Sequence, residues 1–136
     1  MRAIRFRGKS KRTGEWLYGD LVRNVEGAIA IVPPFEITTN NYCDRYEVEP
    51  ETVGQFTGYV DENGTDIYEG DIVEGRLSIN PAEIPNPYRP KKLTYRVKVD
   101  LGQFYLDPGF SGIPSALVRE IEIIGNVYNN PELLVK

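Results

Sequence analysis

ETVGQFTGYVDENGTDIYEGDIV, residues 51–73, is the stretch that decides the fold class of this chain. Residues 55–60 are rich in aromatic and β-branched side chains, which favour a strand. Asn63 and Gly64 follow, and this dipeptide fits the tight turns of β-hairpins because both residues tolerate a positive φ. Two more short apolar pieces lie on either side of a second reversal at Glu69–Asp71. Such closely spaced reversals are typical of a β-meander, so the segment predicts an all-β fold.

The remainder of the sequence is punctuated in the same way. Ten prolines and 13 glycines among 136 residues favour short strands over long helices. The first strand should place Ile4 and Phe6 inward. One helical turn is predicted at Pro114–Arg119, and Pro131 is expected to open another. Six strands are predicted besides those of the meander: Ile4–Gly8, Glu15–Val22, Ala28–Val32, Leu93–Leu101, Gln103–Leu106 and Glu120–Tyr128.

These elements predict two lobes. We expect a mainly β protein in which residues 1–50 form an N-terminal β-hairpin lobe and residues 51–136 form a small SH3-like barrel. A chain of this length suits one domain, so the lobes are predicted to share one folding unit. Ser78–Lys92 contains four prolines and predicts an extended loop without regular structure.

Three blocks of the sequence resemble the YopX family, whose members are small proteins encoded in bacteriophages and prophages. The blocks are RAIRFRGKSKRTGEWLYGDLV at residues 2–22, the meander at residues 51–73, and EIIGNVYNNPELL at residues 122–134. They are spread from one end of the chain to the other. The resemblance implies an accessory protein of a phage or prophage, without established biochemical activity, in a bacterial host.

Positive charge is concentrated at the N-terminus. Residues 1–14 hold six basic residues and no acidic one, whereas the whole chain has a formal net charge of −4. Strand spacing puts four of them on one face: Arg5, Arg7, Lys9 and Lys11. Such a face could contact nucleic acid. The arm Arg2–Arg12 could instead be a solvated edge strand protected by charge, or lie on the protein's own acidic surface. A sequence pI near 4.9 favours the interpretation without nucleic acid.

The sequence offers few groups for catalysis. It contains no histidine, which removes the commonest general base and the commonest metal ligand. Cys43 is the only cysteine, so no internal disulfide can form and an inert thiol is expected. Asp61–Ile72 begins like a calcium loop, but Asp66 stands where the sharp turn needs glycine. Glu69 and Asp71 share a strand face and could act together as a general acid and base. They flank a turn, however, where acidic residues are common for structural reasons. We therefore expect no catalytic residue, no cofactor and no metal site.

Aromatic residues are the remaining lead. Most of those on predicted strands should belong to the core. Phe104 and Tyr105 point to opposite faces, so one of the two is expected outside. An exposed aromatic face would bind a partner chain or stack on bases. The aromatic residues concerned are Trp16, Tyr18, Phe56, Tyr59, Tyr68, Tyr95, Phe104, Tyr105 and Tyr128.

Together these patterns favour a protein that acts by binding or assembly, with self-association as a homo-oligomer and no enzymatic activity. Short edge strands that need covering motivate the homo-oligomer. A nucleic-acid-binding module using Arg2–Arg12 is the alternative, and an enzyme relying on acidic residues near Gly70 is the third class. The loop Ser78–Lys92 either reaches across to a second subunit or lies on the surface. The longest apolar run, Ala28–Val32, is too short to span a bilayer, so we expect no membrane partner and a cytoplasmic location in the bacterial host.

Overall fold

The computed structural model describes residues 4–33, 45–77, 92–100, 103–107, 110–111 and 118–134. Their regular secondary structure is nearly all strand, which confirms the all-β class. Short 3₁₀ turns lie at Pro50–Thr52 and Pro131–Leu134. The strands are β1 (Phe6–Lys9), β2 (Trp16–Arg23), β3 (Ile29–Val32), β4 (Gly54–Val60), β5 (Asp66–Tyr68), β6 (Asp71–Leu77), β7 (Lys92–Asp100), β8 (Gln103–Asp107), β9 (Phe110–Ser111) and β10 (Val118–Asn126).

Contacts divide the chain into two compact units. The N-terminal unit is Met1–Gly58 and the C-terminal unit is Tyr59–Lys136. The division falls inside β4, whereas the sequence suggested a lobe boundary at residue 50.

The N-terminal unit is built on the predicted hairpin of β1 and β2. These strands are antiparallel, with Phe6 opposite Gly19 and Lys9 opposite Trp16. β2 pairs on its other side with β3, and β1 pairs with β4, which gives the order β3-β2-β1-β4. β1 is therefore a central strand of its sheet, and the interpretation of the basic arm as an edge strand is wrong for β1.

Residues 47–49 close this sheet into a ring. On one side the segment's backbone is hydrogen-bonded to the backbone of Lys9 and Lys11, at 2.9 and 3.0 Å. On the other side the Val48 N–H donates to the carbonyl of Ile29 at 3.0 Å. The pairings thus run from β3 through β2 and β1 to residues 47–49 and back to β3. Val48 is fully buried as a result.

The predicted orientation of the first strand is wrong. Ile4 lies before β1 and is 62% exposed, and Phe6 is only partly buried. Arg7 is the buried side chain, at 5% exposure. The reason is that aromatic side chains from β2 and β4 cover the arginine face of this central strand, and its short pattern gives no sign of them.

The C-terminal unit contains a five-stranded sheet in the order β10-β6-β7-β8-β9. The strands predicted at Leu93–Leu101 and Gln103–Leu106 are present as β7 and β8, which pair with Val97 opposite Leu106. β10 carries two register shifts against β6. The pairings of the described residues form this open order, so the SH3-like barrel stays a prediction. The core of the unit comprises Ile67, Val73, Tyr95, Val97, Leu106 and Ile121, with Phe104 and Ile123 packed against it.

Some predictions fall on residues that the structure does not describe. The proline loop lies outside the described residues except for Lys92, which begins β7. Cys43 and residues 114–117 of the predicted helical turn also lie outside them. The helical turn predicted to end at Arg119 is wrong at that end, because Arg119 pairs in β10. Pro131 does open a helical turn, as predicted.

Candidate functional site

The reversal after β4 is organised by a buried carboxylate. Asp61 is 7% exposed, and its Oδ1 accepts the backbone N–H groups of Asn63 and Thr65, both at 2.9 Å. The Gly64 N–H donates to the Asp61 carbonyl at 3.0 Å, which closes the turn. Gly64 has a φ of +81°, as the sequence predicts for this position. We call this segment, residues 61–65, the Asp61 turn.

The Asp61 turn holds the outer edge of β10. The second carboxylate oxygen of Asp61 accepts the N–H of Ile123 at 3.0 Å. Next to it, the Glu62 N–H donates to the carbonyl of Ile121 at 2.8 Å. Asp61 therefore uses both oxygens on backbone donors, within the turn and on β10. This arrangement explains the acidic residue without assigning it any chemistry.

β10 is distorted beside these contacts. Glu120 has a φ of +58°, which is uncommon for a residue with a side chain. It lies at the register shift between Arg119 and Glu122, where the strand bulges away from β6. Its carboxylate pairs with Arg76 Nε on β6 at 2.8 Å. The ion pair and the bulge together set the path of β10 past the Asp61 turn.

The second reversal uses Asp71, one of the two acidic residues that the sequence singled out there. Asp71 is 2% exposed, and its Oδ2 accepts the N–H of Tyr68 at 2.7 Å. The Gly70 N–H donates to the carbonyl of Val97, and the Gly70 carbonyl accepts the N–H of Val127, both at 2.9 Å. The carboxylate of Asp71 therefore holds the turn together by accepting a backbone N–H across it.

The chain after β10 is held by two asparagines. Asn126 Oδ1 accepts the N–H groups of Tyr128 and Asn129, at 3.0 and 2.9 Å. Asn130 Oδ1 accepts the N–H of Asn126 at 3.3 Å. Gly125 lies directly beneath, and a Cβ there would be 2.6 Å from Asn130 Oδ1. The polar residues of this block organise the backbone, as those of the two reversals do.

A calcium site at residues 61–72 is not supported by these contacts, because the leading Asp61 already accepts three backbone N–H groups. Within the residues that the structure describes, no group of three or more acidic, cysteine or histidine side chains could hold a metal ion. No helix among those residues is long and apolar enough to cross a membrane.

Basic side chains of the arm Arg2–Arg12 contact other residues of the N-terminal unit. The Arg5 guanidinium lies 4.4 Å from the ring centroid of Phe56. The guanidinium of the buried Arg7 lies 4.8 Å from the ring of Trp16. Cation–π contacts of this kind stabilise a desolvated guanidinium. Two of the four basic residues proposed for a nucleic-acid face therefore pack against aromatic residues of the protein.

Lys11 has an acidic partner close to it. Its Nζ lies 3.0 Å from Glu47 Oε2, on the segment that closes the ring. The hydrogen bond to Glu47, followed by the charge of that carboxylate, raises the pKa of Lys11 above its ordinary value. This contact agrees with the interpretation in which the arm lies on the protein's own acidic surface.

Large apolar side chains are exposed in each unit. The β1–β3 region of the N-terminal unit exposes Tyr18 by 50%, Leu21 by 38% and Val25 completely, besides Ile4. The C-terminal unit exposes Tyr59, Val60, Leu93 and Val99. Of the aromatic residues noted in the sequence, Phe56, Tyr68 and Tyr95 are buried, whereas Phe104 and Tyr105 are both partly buried. Tyr18 and Tyr59 are the two that face solvent most.

Sequence reasoning found the two reversals but missed the role of their carboxylates. Asp61 immediately precedes a predicted turn, and an aspartate there commonly accepts N–H groups of the turn. That local signal could have identified the contacts with Asn63 and Thr65. Nothing local indicates the contact with Ile123, which lies far along the chain.

The comparisons with known proteins agree with this framework. A family model described as YopX protein matches residues 5–135. The crystal structure of protein EF1440 from Enterococcus faecalis is similar to this chain, with a TM-score of 0.57 and 22% identity. The similarity covers 98% of this chain and 99% of that one, and at this identity it shows the fold alone. No curated protein matches the sequence.

Proposed function

Since the chain belongs to the YopX family, a family of phage-associated proteins, we propose that it acts by binding and by self-association, not by catalysis. The family resemblance also supports a cytoplasmic site of action in the bacterial host.

The use of the polar residues supports this proposal. In the blocks that carry the family resemblance, Asp61, Asp71, Asn126 and Asn130 direct their side-chain oxygens at backbone N–H groups. Groups engaged in this way stabilise turns and strand edges. The sequence also lacks histidine, so the commonest general base is absent.

The observation that carries the proposal is the apolar surface of the N-terminal unit. Val25 stands fully exposed in the turn between β2 and β3. The turn is held in place by Asn24, whose Oδ1 accepts the N–H groups of Glu26 and Ala28 at 3.0 and 2.9 Å. Burying one such side chain contributes roughly 1.5–3 kcal/mol. Leu21 lies on the adjoining strand, and we propose that these two residues are covered by a second copy of the chain.

Light scattering on the purified protein tests the self-association. We expect a mass above that of the monomer at micromolar concentration, and we expect Leu21→Lys combined with Val25→Lys to lower it to the monomer. The matched control is Leu93→Lys combined with Val99→Lys, in the C-terminal unit, where the two side chains are exposed by 38% and 40%, about as much as Leu21. A monomeric wild type at every concentration would remove self-association from the proposal. Dissociation by the control variant as well would show that the surface is misassigned.

Nucleic-acid binding remains the alternative from the sequence, but the contacts of the basic arm Arg2–Arg12 do not favour it. Arg5 and Arg7 lie over aromatic rings, and Lys11 is paired with Glu47. Phosphate contacts need basic side chains that are free to reach the nucleic-acid backbone.

A further inference from the structure

The Asp61 turn contains the dipeptide Asn63-Gly64, which can react with itself. In this dipeptide the backbone nitrogen of the glycine, once deprotonated, attacks the side-chain carbon of the asparagine and forms a five-membered succinimide. The carbon–nitrogen bond to Asn63 Nδ2 breaks, and ammonia leaves. Water then opens the ring and gives aspartate or isoaspartate. Glycine offers the least steric resistance beside the attacking nitrogen because it has no side chain.

The surroundings of the dipeptide permit this chemistry. Asn63 and Gly64 are both exposed, so water reaches them. Among the described residues other than Gly64 and its two chain neighbours, no heavy atom lies within 4 Å of the position that a Gly64 Cβ would occupy. The reacting nitrogen, however, is engaged: the Gly64 N–H donates to the Asp61 carbonyl at 3.0 Å. Attack therefore requires the turn to open first.

We propose that Asn63-Gly64 is a site of spontaneous deamidation, and that the carboxylate it creates weakens the hold of the Asp61 turn on β10.

The effect on β10 follows from the neighbours of Asn63. Its Nδ2 donates to Glu122 Oε1 at 3.4 Å, which is a long contact between the turn and β10. Glu122 lies directly opposite Glu74 on β6, so two acidic residues already occupy paired positions on neighbouring strands. Deamidation replaces the donor with a third carboxylate, and like charges in such positions repel. Isoaspartate adds a backbone methylene as well, which lengthens a turn whose internal hydrogen bonds all join residues at most four apart.

Peptide mapping by mass spectrometry tests the reaction. The native protein and the same chain in urea are aged in mildly alkaline buffer, and the peptide containing Asn63 is examined for the exchange of an amide for an acid. We expect conversion in both samples, at least about tenfold slower in the native protein, because the reaction awaits local opening of the turn. An unmodified native peptide, after the unfolded chain has converted fully, would overturn the assignment of a site. So would equal conversion at Asn24 in the native protein.

Hydrogen exchange at the Ile123 amide tests the consequence. Asn63→Asp mimics the product, and Asn63→Gln is the matched control, which keeps an amide but forms the corresponding ring far less readily. We expect exchange at Ile123 to be severalfold faster in Asn63→Asp than in Asn63→Gln, because the amide loses the protection of the turn. The difference should shrink when Glu122→Gln is added to both. Equal exchange in the two variants, or a difference that Glu122→Gln leaves intact, would show that the new charge does not act on β10.

Discussion

Asp61→Ala is expected to destabilise the C-terminal unit more than any other single substitution in the Asp61 turn, because Asp61 is the buried residue of that turn. The carboxylate accepts three backbone N–H groups, at 2.9, 2.9 and 3.0 Å. A hydrogen bond to a charged group contributes roughly 1.5–3 kcal/mol. Asn63 and Thr65 are exposed residues, so water replaces part of what they lose. The amide of Ile123 is partly buried and is compensated less. We therefore expect a loss of about 2–4 kcal/mol in the free energy of unfolding.

Urea unfolding with amide hydrogen exchange measures this loss. A lower midpoint at an unchanged m value reports stability alone. The exchange data should show the amides of Asn63, Thr65 and Ile123 losing protection together. Glu62→Gln is the matched control, since its side chain is exposed, and it should stay within about 0.5 kcal/mol of the wild type. If Asp61→Ala also stays within that range, the carboxylate is not what holds the turn to β10.

Three further predictions follow from contacts in the two units. Gly125→Ala should cost about 1–3 kcal/mol in urea unfolding, because the new Cβ would lie 2.6 Å from Asn130 Oδ1; an unchanged midpoint would show that Asn130 moves freely. Burial raises the pKa of Tyr95 above its ordinary value. Tyr95 therefore keeps its proton to a higher pH in the folded protein than in the unfolded chain. Its contribution to the free energy of unfolding is fully present below the ordinary tyrosine pKa and is lost as the pH rises through the raised pKa. Tyr95→Phe should reduce this alkaline loss in thermal unfolding, and an identical pH profile would contradict the reasoning. Replacing Lys11 and Arg12 by glutamine should leave retention on immobilised DNA or RNA at physiological salt unchanged, and a wild type that binds while this variant does not would restore the nucleic-acid interpretation.

The local elements of this fold could be predicted from the sequence because their signals are local. Asn63-Gly64 dictates a tight turn, and Gly64 has the positive φ that the dipeptide favours. The alternating apolar residues after Lys92 likewise predict β7, whose Tyr95 and Val97 enter the core.

The burial of the first strand could not be predicted in this way. Alternation over so short a segment fits either face equally well, and hydrophobicity alone then favours Ile4 and Phe6 for the interior. The deciding partners, Trp16 and Phe56, lie on β2 and β4 and make a cationic side chain the buried one. The same holds for the contact of Asp61 with Ile123, where the turn is local but its docking site is not.

Residues 47–49 close the ring of strands in the N-terminal unit, and they are synthesised after β1, β2 and β3. Translation adds about 5–20 residues per second, and N-terminal parts of a chain generally fold before C-terminal ones. The β1–β2 hairpin and β3 can pair early, since their contacts are local. Until residues 47–49 emerge, one edge of β3 has backbone groups without their hydrogen-bond partners from this segment. The buried position that Val48 takes in the folded protein is also unfilled. During that interval a chaperone or a neighbouring nascent chain can pair with this edge of β3 before residues 47–49 do.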